Sequence, residues 1–468
     1  MKRILAIISI LGFLGPLMAQ NKFTPVTGYW EGHLKISSKD SLAVGVYIEK
    51  AQDSVKVVMD SPDQYVTGIP VSRFIFRNDS VFLDQSADHV KYIALLDREK
   101  EVLSGTFTQH GKVFPLILNK TENRKIIRRP QTPRPPFNYN IDSTIALRDP
   151  RTGQPVIMGT LTYPREQPPK ATLIIISGSG WQDRNGTIFG HKGYWVIADY
   201  LTNQGYAVFR YDDLPPKLIR NLSTLDYPYY VNIIVDYLKQ NPHTADSPVG
   251  IIGHSEGGLV AFMTAAEYRN IDLIISMAGM AQHFKDVIQY QIRLISESSG
   301  EFTDEEIKKI MDMYENMYSI LEKEKDVKKA SVKLGNYFDN FSQELTEEEK
   351  IKFNLTPANI LSTKQSLLTP WIFQISKIKP EKYIRKVKCP VYALNGSKDT
   401  QVYYKSNLHI IEDNLKPNKL NRFEMIEGVN HLFQDAGSGL VEEYGELEQT
   451  ISPEVLAKLK NWLDMVTD

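Results

Sequence analysis

One short run of residues has the composition and spacing of a catalytic serine turn. The run Gly253-His254-Ser255-Glu256-Gly257 matches the pattern G-x-S-x-G, and Gly258 follows it. The apolar run Val249–Ile252 predicts a strand before the serine, and Glu256–Arg269 predicts a helix after it, which is the context this pattern requires. The glycines let the sharp turn pack, and the turn exposes the serine hydroxyl at the positive end of the helix. We therefore predict that Ser255 is a nucleophile; a structural serine is the alternative.

A serine hydroxyl is a weak nucleophile unless a histidine takes its proton. Three histidines follow the predicted helix: His283, His409 and His431. His409 lies within a predicted helix, whereas His431 follows the last predicted strand, at the carboxyl end where sites of parallel α/β sheets lie. The sequence therefore favours His431 as the general base.

The base needs an acid that fixes its tautomer. Asp399 is the only carboxylate in the loop 395–400, which follows the strand before the one that leads to His431. We predict that Asp399 accepts the Nδ1 proton of His431. A turn-forming aspartate is the alternative.

The oxyanion of the reaction needs two backbone donors. The N–H of Glu256, directly after the nucleophile, is the first candidate. The second should come from the glycine-rich loop 177–186, after the apolar strand Ala171–Ser177. Its position favours the N–H of Ser179, with Gly178 and Gly180 as alternatives. Two further expectations are that Asp183 and Arg184 pair to brace this loop and that His254 points into the sheet.

Three aromatic residues are candidates for a substrate pocket. Trp371 and Phe373 follow a highly charged helical region, and Trp181 lies in the glycine-rich loop. Core packing is the alternative for Trp371 and Phe373. The sequence contains no run of histidines or carboxylates with metal-ligand spacing and no dinucleotide fingerprint, so we expect no metal and no cofactor. His191 is isolated and is expected at the surface.

The elements that must position these residues form an alternating series of strands and helices after about residue 141. Continuous apolar strands between helices predict a parallel sheet covered on both faces, which is an α/β fold. The series stops for about a hundred residues, from Phe284 to Lys382, where the chain is helical and charged. We predict an inserted helical cap there; helices packed on the sheet edge are the alternative.

The first part of the chain follows a different pattern. Short alternating runs from Gly28 to Leu118, with hairpin turns at Asn78-Asp79 and Gln109-His110-Gly111, predict a small antiparallel β domain, either a sandwich or a partly closed barrel. Four prolines between Arg129 and Pro136 predict an extended spacer. The predicted organisation is a signal peptide at 1–19, a β domain at 20–125, a linker at 126–140, a catalytic domain at 141–282 and 384–468, and a cap at 283–383.

The N-terminus has the pattern of an export signal. Lys2 and Arg3 precede the apolar run Ile4–Leu17, which is too short to span a bilayer comfortably, and the small residue Ala19 offers a cleavage site. An uncleaved anchor is the alternative. The net charge of −1 gives no general attraction to nucleic acid or to anionic membranes. We expect an exported bacterial protein, periplasmic or secreted, with no membrane association after signal removal. The single cysteine, Cys389, excludes an internal disulfide and is expected to be buried.

These residues together resemble a known family. The loop from Ser177 to Gly186 is similar to the H-G-S-G-x-Q-D-R-x-G loop of bacterial α/β-hydrolase esterases, a group related to serine aminopeptidase-like and dienelactone-hydrolase-like proteins. With the Ser255, Asp399 and His431 segments, the resemblance covers about residues 140–465. It implies an α/β-hydrolase core, a helical cap and the triad of those three residues. The chain departs from the family at Ser177, where the loop's usual histidine would brace it, and after Asp213, where an Arg-Gly pair is missing.

The resemblance implies a serine carboxylesterase that hydrolyses small acyl esters through an acyl-enzyme. Two other functions stay open. One is an aminopeptidase-like serine peptidase of the same fold, and the other is a periplasmic binding protein that uses the β domain. The sequence does not decide the natural substrate or acyl length, the role of the β domain, or whether the chain forms a homo-oligomer.

Overall fold

A computed structural model describes residues 23–36, 40–51, 54–87 and 89–467. The predicted signal peptide and its cleavage site lie outside the described residues. The chain divides into two compact units, residues 1–127 and 128–468.

The first unit contains one antiparallel sheet in the order β4-β3-β2-β1-β9-β8-β7-β6-β5. Buried and exposed residues alternate along β7, as expected for a sheet with one buried face, and Trp30 and Tyr92 belong to the single core cluster of this unit. Because all nine strands described here join one sheet, the unit fits the partly closed barrel and not the sandwich. The strands are β1 (Gly28–Lys35), β2 (Ser41–Ala51), β3 (Ser54–Ser61), β4 (Val66–Pro70), β5 (Arg73–Arg77), β6 (Ser80–Gln85), β7 (Val90–Asp97), β8 (Val102–Gln109) and β9 (Lys112–Thr121).

The two predicted hairpin turns are confirmed. Asn78 and Asp79 join β5 to β6, and His110 and Gly111 join β8 to β9. All four residues have positive φ, which is the requirement of the two-residue turn that matches strand twist.

The second unit contains a mixed sheet in the order β10-β11-β15-β12-β16-β17-β18-β19. The strands from β15 through β12 to β19 pair in parallel, while β11 runs antiparallel to its neighbours. The strands are β10 (Asn140–Arg148), β11 (Pro155–Tyr163), β12 (Thr172–Ile176), β15 (Ala207–Tyr211), β16 (Val249–His254), β17 (Leu273–Met277), β18 (Val391–Gly396) and β19 (Arg422–Ile426), with a separate short hairpin β13 (Thr187–Ile188) and β14 (His191–Lys192).

Helices cover both faces of this sheet. Ile174 and Ile176 of β12 belong to one core cluster, and the alternate residues Leu173 and Ile175 belong to another, so the strand is buried on both sides, as its continuous apolar sequence predicts. The helices outside the insertion are α1 (Gly193–Asn203), α2 (Pro216–Ile219), α3 (Tyr227–Gln240), α4 (Glu256–Tyr268), α12 (Tyr404–Asn414), α13 (Val441–Tyr444) and α14 (Pro453–Thr467).

A helical insertion separates β17 from β18. It packs on the helix that follows Ser255, because Leu259 and Met263 of α4 share a core cluster with Phe284 and Phe338 of the insertion. The inserted helices are α5 (Phe284–Ser299), α6 (Asp304–Lys323), α7 (Val327–Gln343), α8 (Glu347–Lys352), α9 (Pro357–Leu367), α10 (Pro370–Ile375) and α11 (Glu381–Ile384).

The proline-rich segment is held against the second unit. Arg129 donates hydrogen bonds to the carbonyls of Phe189 and Gly445, each at 2.7 Å, and Gln131 Nε2 donates to the carbonyl of Ile451 at 2.7 Å. The predicted spacer is therefore part of the packed structure, because its polar side chains find partners among loops of the catalytic unit.

Candidate active site

Ser255 lies in a sharp turn between β16 and α4. Its backbone has φ 55° and ψ −122°, a conformation that a residue with a Cβ rarely adopts. Backbone hydrogen bonds hold the turn: the N–H of Ser255 donates to Met277 O at 3.0 Å, and its carbonyl accepts from Met280 at 2.9 Å and from Gly258 at 3.0 Å. The serine is thus held by the loop that follows β17.

Glycine is required beside Ser255 because the backbone is crowded there. A Cβ on Gly257 would lie 2.4 Å from the carbonyl oxygen of Ile176 and 2.5 Å from that of Ser177. Both contacts are with backbone atoms where β12 ends and the loop 177–186 begins, so neither can be relieved by a side-chain rotation.

We expect Gly257→Ala to lower the free energy of unfolding by about 1–3 kcal/mol and to lower ester turnover, because the strain falls on the loop beside Ser255. Gly193→Ala is the matched control, since its Cβ would meet only Ile451 Cδ1 at 3.7 Å. That control should stay within about 1 kcal/mol of the wild type. Denaturant unfolding measures the free energy of unfolding of both variants. Equal stability of the two variants would contradict the steric argument.

Asp399 and His431 form a buried pair. His431 Nδ1 lies 2.8 Å from Asp399 Oδ2, and both residues are nearly inaccessible to solvent. The other carboxylate oxygen accepts from the N–H groups of Gln401 at 2.8 Å and Val402 at 2.9 Å. Asp399 is therefore fixed as an acceptor that faces the imidazole.

His254 connects the histidine loop to the serine turn. Its Nε2 lies 2.9 Å from the carbonyl oxygen of His431, and the two imidazole rings are 4.8 Å apart. The hydroxyl of Tyr194 lies 3.2 Å from His254 Nδ1 and also accepts from the N–H of Gly178 at 3.3 Å. Burial, and secondly His431, lower the pKa of His254 to about 4. Neutral His254, the neighbour of Ser255, therefore contacts the loop that carries His431 directly and the glycine-rich loop 177–186 through Tyr194.

The glycine-rich loop 177–186 is braced by an aspartate that follows β15. A Cβ on Gly178 would lie 3.0 Å from Ser255 Cβ, which places this loop against Ser255. Asp213 accepts from Ser177 Oγ at 2.6 Å and from the N–H of Gln182 at 2.8 Å. Asp213 thereby holds the start of the loop in place. The role of the Ser179 N–H as second oxyanion donor stays a prediction.

The expected pairing of Asp183 with Arg184 is wrong. Arg184 forms a bidentate ion pair with Asp212, in which Nη2 lies 2.6 Å from Oδ2 and Nε lies 3.0 Å from Oδ1. Asp183 instead accepts from the backbone N–H groups of Asn185 and Thr187. The side chains of Asp183 and Arg184 have different partners, although the two residues are adjacent, because the loop turns between them.

A cavity of about 230 Å³ opens next to Ser255, between Gly178 and Glu256. Trp181 and Trp371, two of the three predicted pocket residues, line it together with Asp213 and Glu256. Phe373, the third, does not: it is buried in the core of the insertion, because α10 turns it away from the wall that carries Trp371.

Glu256, the first residue of α4, connects this helix to the insertion through hydrogen bonds. Its carboxylate accepts from Trp371 Nε1 at 3.0 Å, from Thr224 Oγ1 at 2.7 Å and from Ser179 Oγ at 2.7 Å. Sequence reasoning considered only the backbone N–H of Glu256 and missed its side chain and Asp213. A signal existed for Asp213, which directly follows the carboxyl end of a parallel strand, where α/β sites lie.

The remaining histidines named in the sequence analysis do not contact the Asp399–His431 pair. His409 is exposed on α12 and pairs with Asp413 at 3.2 Å, and His283 pairs with Glu381 at 3.3 Å. His191, expected at the surface, is buried, with Nε2 3.0 Å from the carbonyl of Tyr444 and Nδ1 2.9 Å from Thr450 Oγ1. The predicted surface position of His191 was wrong because the partners of its ring, Tyr444 and Thr450, lie some 250 residues further along the chain.

We expect His191 to make the fold acid-sensitive. Burial, and secondly Arg129, lower its pKa to about 4. On acidification the unfolded chain takes up a proton near pH 6.5 while the folded protein does not, so stability is lost between about pH 6.5 and pH 4, by up to about 3 kcal/mol. His191→Gln should flatten this decline in denaturant unfolding measured across that range, whereas His409→Gln should leave its slope unchanged. An unaltered slope in His191→Gln would contradict the assignment.

No set of three or more histidine, cysteine, aspartate or glutamate side chains among the described residues is arranged to hold a metal ion. No helix within residues 23–467 that the structure describes has the length and apolarity to cross a bilayer.

Sequence comparison finds one family and several curated proteins that are similar to part of the chain. Residues 229–364 match the family described as BAAT / Acyl-CoA thioester hydrolase C terminal. The chain is 26% identical over 114 residues to acyl-coenzyme A thioesterase 3 of Mus musculus, covering 24% of each protein. It is 30% identical over 128 residues to a Mycobacterium tuberculosis protein that bears the name of a phosphoribosyl transferase, covering 26% of this chain and 27% of that one. The chain thus spans about a quarter of the length of these curated relatives.

Solved structures of hydrolases are similar at low identity. An esterase of Pyrococcus furiosus has a TM-score of 0.40 at 15% identity, over 74% of this chain and 100% of that one. Est1E from Butyrivibrio proteoclasticus has a TM-score of 0.39 at 16% identity, over 69% and 99%. Dienelactone hydrolase from Anabaena variabilis has a TM-score of 0.39 at 14% identity, over 70% and 98%.

Proposed function

We propose that this chain is an α/β-hydrolase of the esterase type and, more narrowly, a serine carboxylesterase that acts on small acyl esters. One observation carries the proposal: the imidazole of His431, whose Nδ1 is held by the buried carboxylate of Asp399, lies 4.8 Å from the ring of His254, the residue directly before Ser255. A carboxylate that fixes an imidazole close to a serine is the arrangement that activates a hydroxyl for acyl transfer.

The proposed reaction follows from these positions. His431 Nε2 removes the proton of Ser255 as Oγ attacks the ester carbonyl, and Asp399 stabilises the resulting imidazolium. The N–H groups of Glu256 and Ser179 stabilise the oxyanion. His431 then returns the proton to the leaving alcohol, and a water molecule, activated by the same histidine, hydrolyses the acyl-enzyme. We assign the helical insertion the role of a cap, since its Trp371 lines the cavity beside the nucleophile.

The experiment is a ladder of p-nitrophenyl esters from acetate to palmitate, combined with labelling by an alkyl phosphonate. We expect turnover confined to short acyl chains and one phosphonate per chain, located on Ser255 by peptide mass. Absence of labelling in folded protein would overturn the serine-hydrolase proposal and favour a binding protein.

A thioesterase is the second candidate, because the matched family is named for thioesters of coenzyme A. The same acyl-enzyme mechanism cleaves a thioester, so matched oxygen and thioester substrates of one acyl chain separate the two. Aminoacyl amides in the same panel test the peptidase alternative. A kcat/KM at least tenfold higher for one class would identify the physiological bond type.

A further inference from the structure

The cavity beside Ser255 carries two negative charges and no positive one. Asp213 and Glu256 line it, and the other lining residues include no lysine, arginine or histidine. Charges in a partly enclosed cavity are screened less than charges at the surface, so the site presents a negative potential next to the reacting carbonyl.

Both carboxylates are held by neutral donors. Glu256 accepts from a tryptophan N–H and two hydroxyls, Thr224 and Ser179. Asp213 accepts only from a hydroxyl and a backbone N–H, which leaves part of its acceptor capacity unused. Among the described residues neither carboxylate forms an ion pair within 4.0 Å. Burial, and to a smaller extent Glu256, raise the pKa of Asp213 to about 6, so a cation in the cavity would stabilise its ionised form.

The remaining wall is mostly apolar, and it combines five aromatic residues with the aliphatic residues Ile176, Leu214, Ile219 and Val260. Trp181, Trp371, Tyr211, Tyr227 and Tyr230 line the same cavity. Aromatic faces attract cations, and a cage of several rings is the arrangement that binds quaternary ammonium groups. A purely aliphatic acyl chain needs neither the carboxylates nor the ring faces.

We propose that this cavity binds a cationic ammonium group of the substrate, so that the preferred esters carry a positive charge close to the scissile carbonyl. This inference rests on the proposed esterase function and narrows its substrate class. The ammonium group can belong to the acyl part or to the alcohol part, and the experiment below separates these two sources.

Two pairs of charged and neutral isosteres test the proposal. On the acyl side, phenyl 4-(trimethylammonio)butanoate is compared with phenyl 5,5-dimethylhexanoate. On the alcohol side, acetylcholine is compared with 3,3-dimethylbutyl acetate. We expect a kcat/KM at least tenfold higher for the charged ester of one pair. Asp213→Asn should reduce that ratio about tenfold, because a charge is removed while the shape is kept. Glu412→Gln, a charge change on the exposed face of α12, should preserve the ratio.

The outcomes are distinguishable. Equal kcat/KM within both pairs, with normal phosphonate labelling, would overturn the cation site and leave the esterase proposal standing. A wild-type preference that Asp213→Asn and Glu256→Gln both retain would also overturn it. If no ester is hydrolysed and Ser255 is not labelled, both proposals fail. Should Asp213→Asn not fold, the wild-type ratios and the Glu256→Gln ratio decide.

Discussion

Replacing Ser255 with alanine is expected to lower kcat for ester hydrolysis by about 10⁴- to 10⁶-fold. Without the hydroxyl no acyl-enzyme can form, and the buried Asp399–His431 pair has no nucleophile to activate. The residual rate should reflect binding and the oxyanion donors alone. Stopped assays with p-nitrophenyl acetate measure the kcat of the variant. The pre-steady-state burst is a second readout and should also disappear.

The folded state should tolerate the change, since alanine keeps the Cβ of Ser255 and the backbone hydrogen bonds that hold the turn. Ser366→Ala is the matched control, because Ser366 is an exposed serine on α9; it should turn over esters like the wild type. Activity of Ser255→Ala within tenfold of the wild type in pure protein would exclude Ser255 as the nucleophile.

Local sequence patterns predicted the elements around the serine closely. The strand before Ser255 begins at Val249 as predicted, and α4 ends one residue earlier than predicted, at Tyr268. This part was predictable because continuous apolar strands, glycines and turn residues act over a few positions. The tight packing of Gly257 against the start of the loop 177–186 follows from the same short motif.

The walls of the site were not predictable in the same way. The hydrogen bond of Trp371 to Glu256 joins residues 115 positions apart, and the brace of Ser177 by Asp213 spans 36 positions. Such contacts depend on how the insertion and neighbouring strands pack. A local pattern marks a carboxylate as polar and leaves open whether that carboxylate faces solvent or a cavity.

The second large effect concerns the acid of the proposed triad. We expect Asp399→Asn to lower kcat by about 10⁴-fold while the fold is retained. The N–H groups of Gln401 and Val402 both donate to Oδ1 of Asp399, so the amide oxygen of an asparagine must take that position. Its NH₂ group then faces His431 Nδ1 and donates to it. The imidazole is left with its proton on Nε2, where it can no longer accept the proton of Ser255.

The chain offers a matched control in its other aspartate–histidine pair. Asp413 and His409 lie 3.2 Å apart on the exposed face of α12, so Asp413→Asn removes the same type of contact where no nucleophile is near and should leave kcat unchanged. A kcat of Asp399→Asn within tenfold of the wild type would contradict the tautomer argument. In that case the hydrogen bond between the His254 ring and the carbonyl of His431 would have to be enough to orient the base, and the carboxylate would have a structural role only.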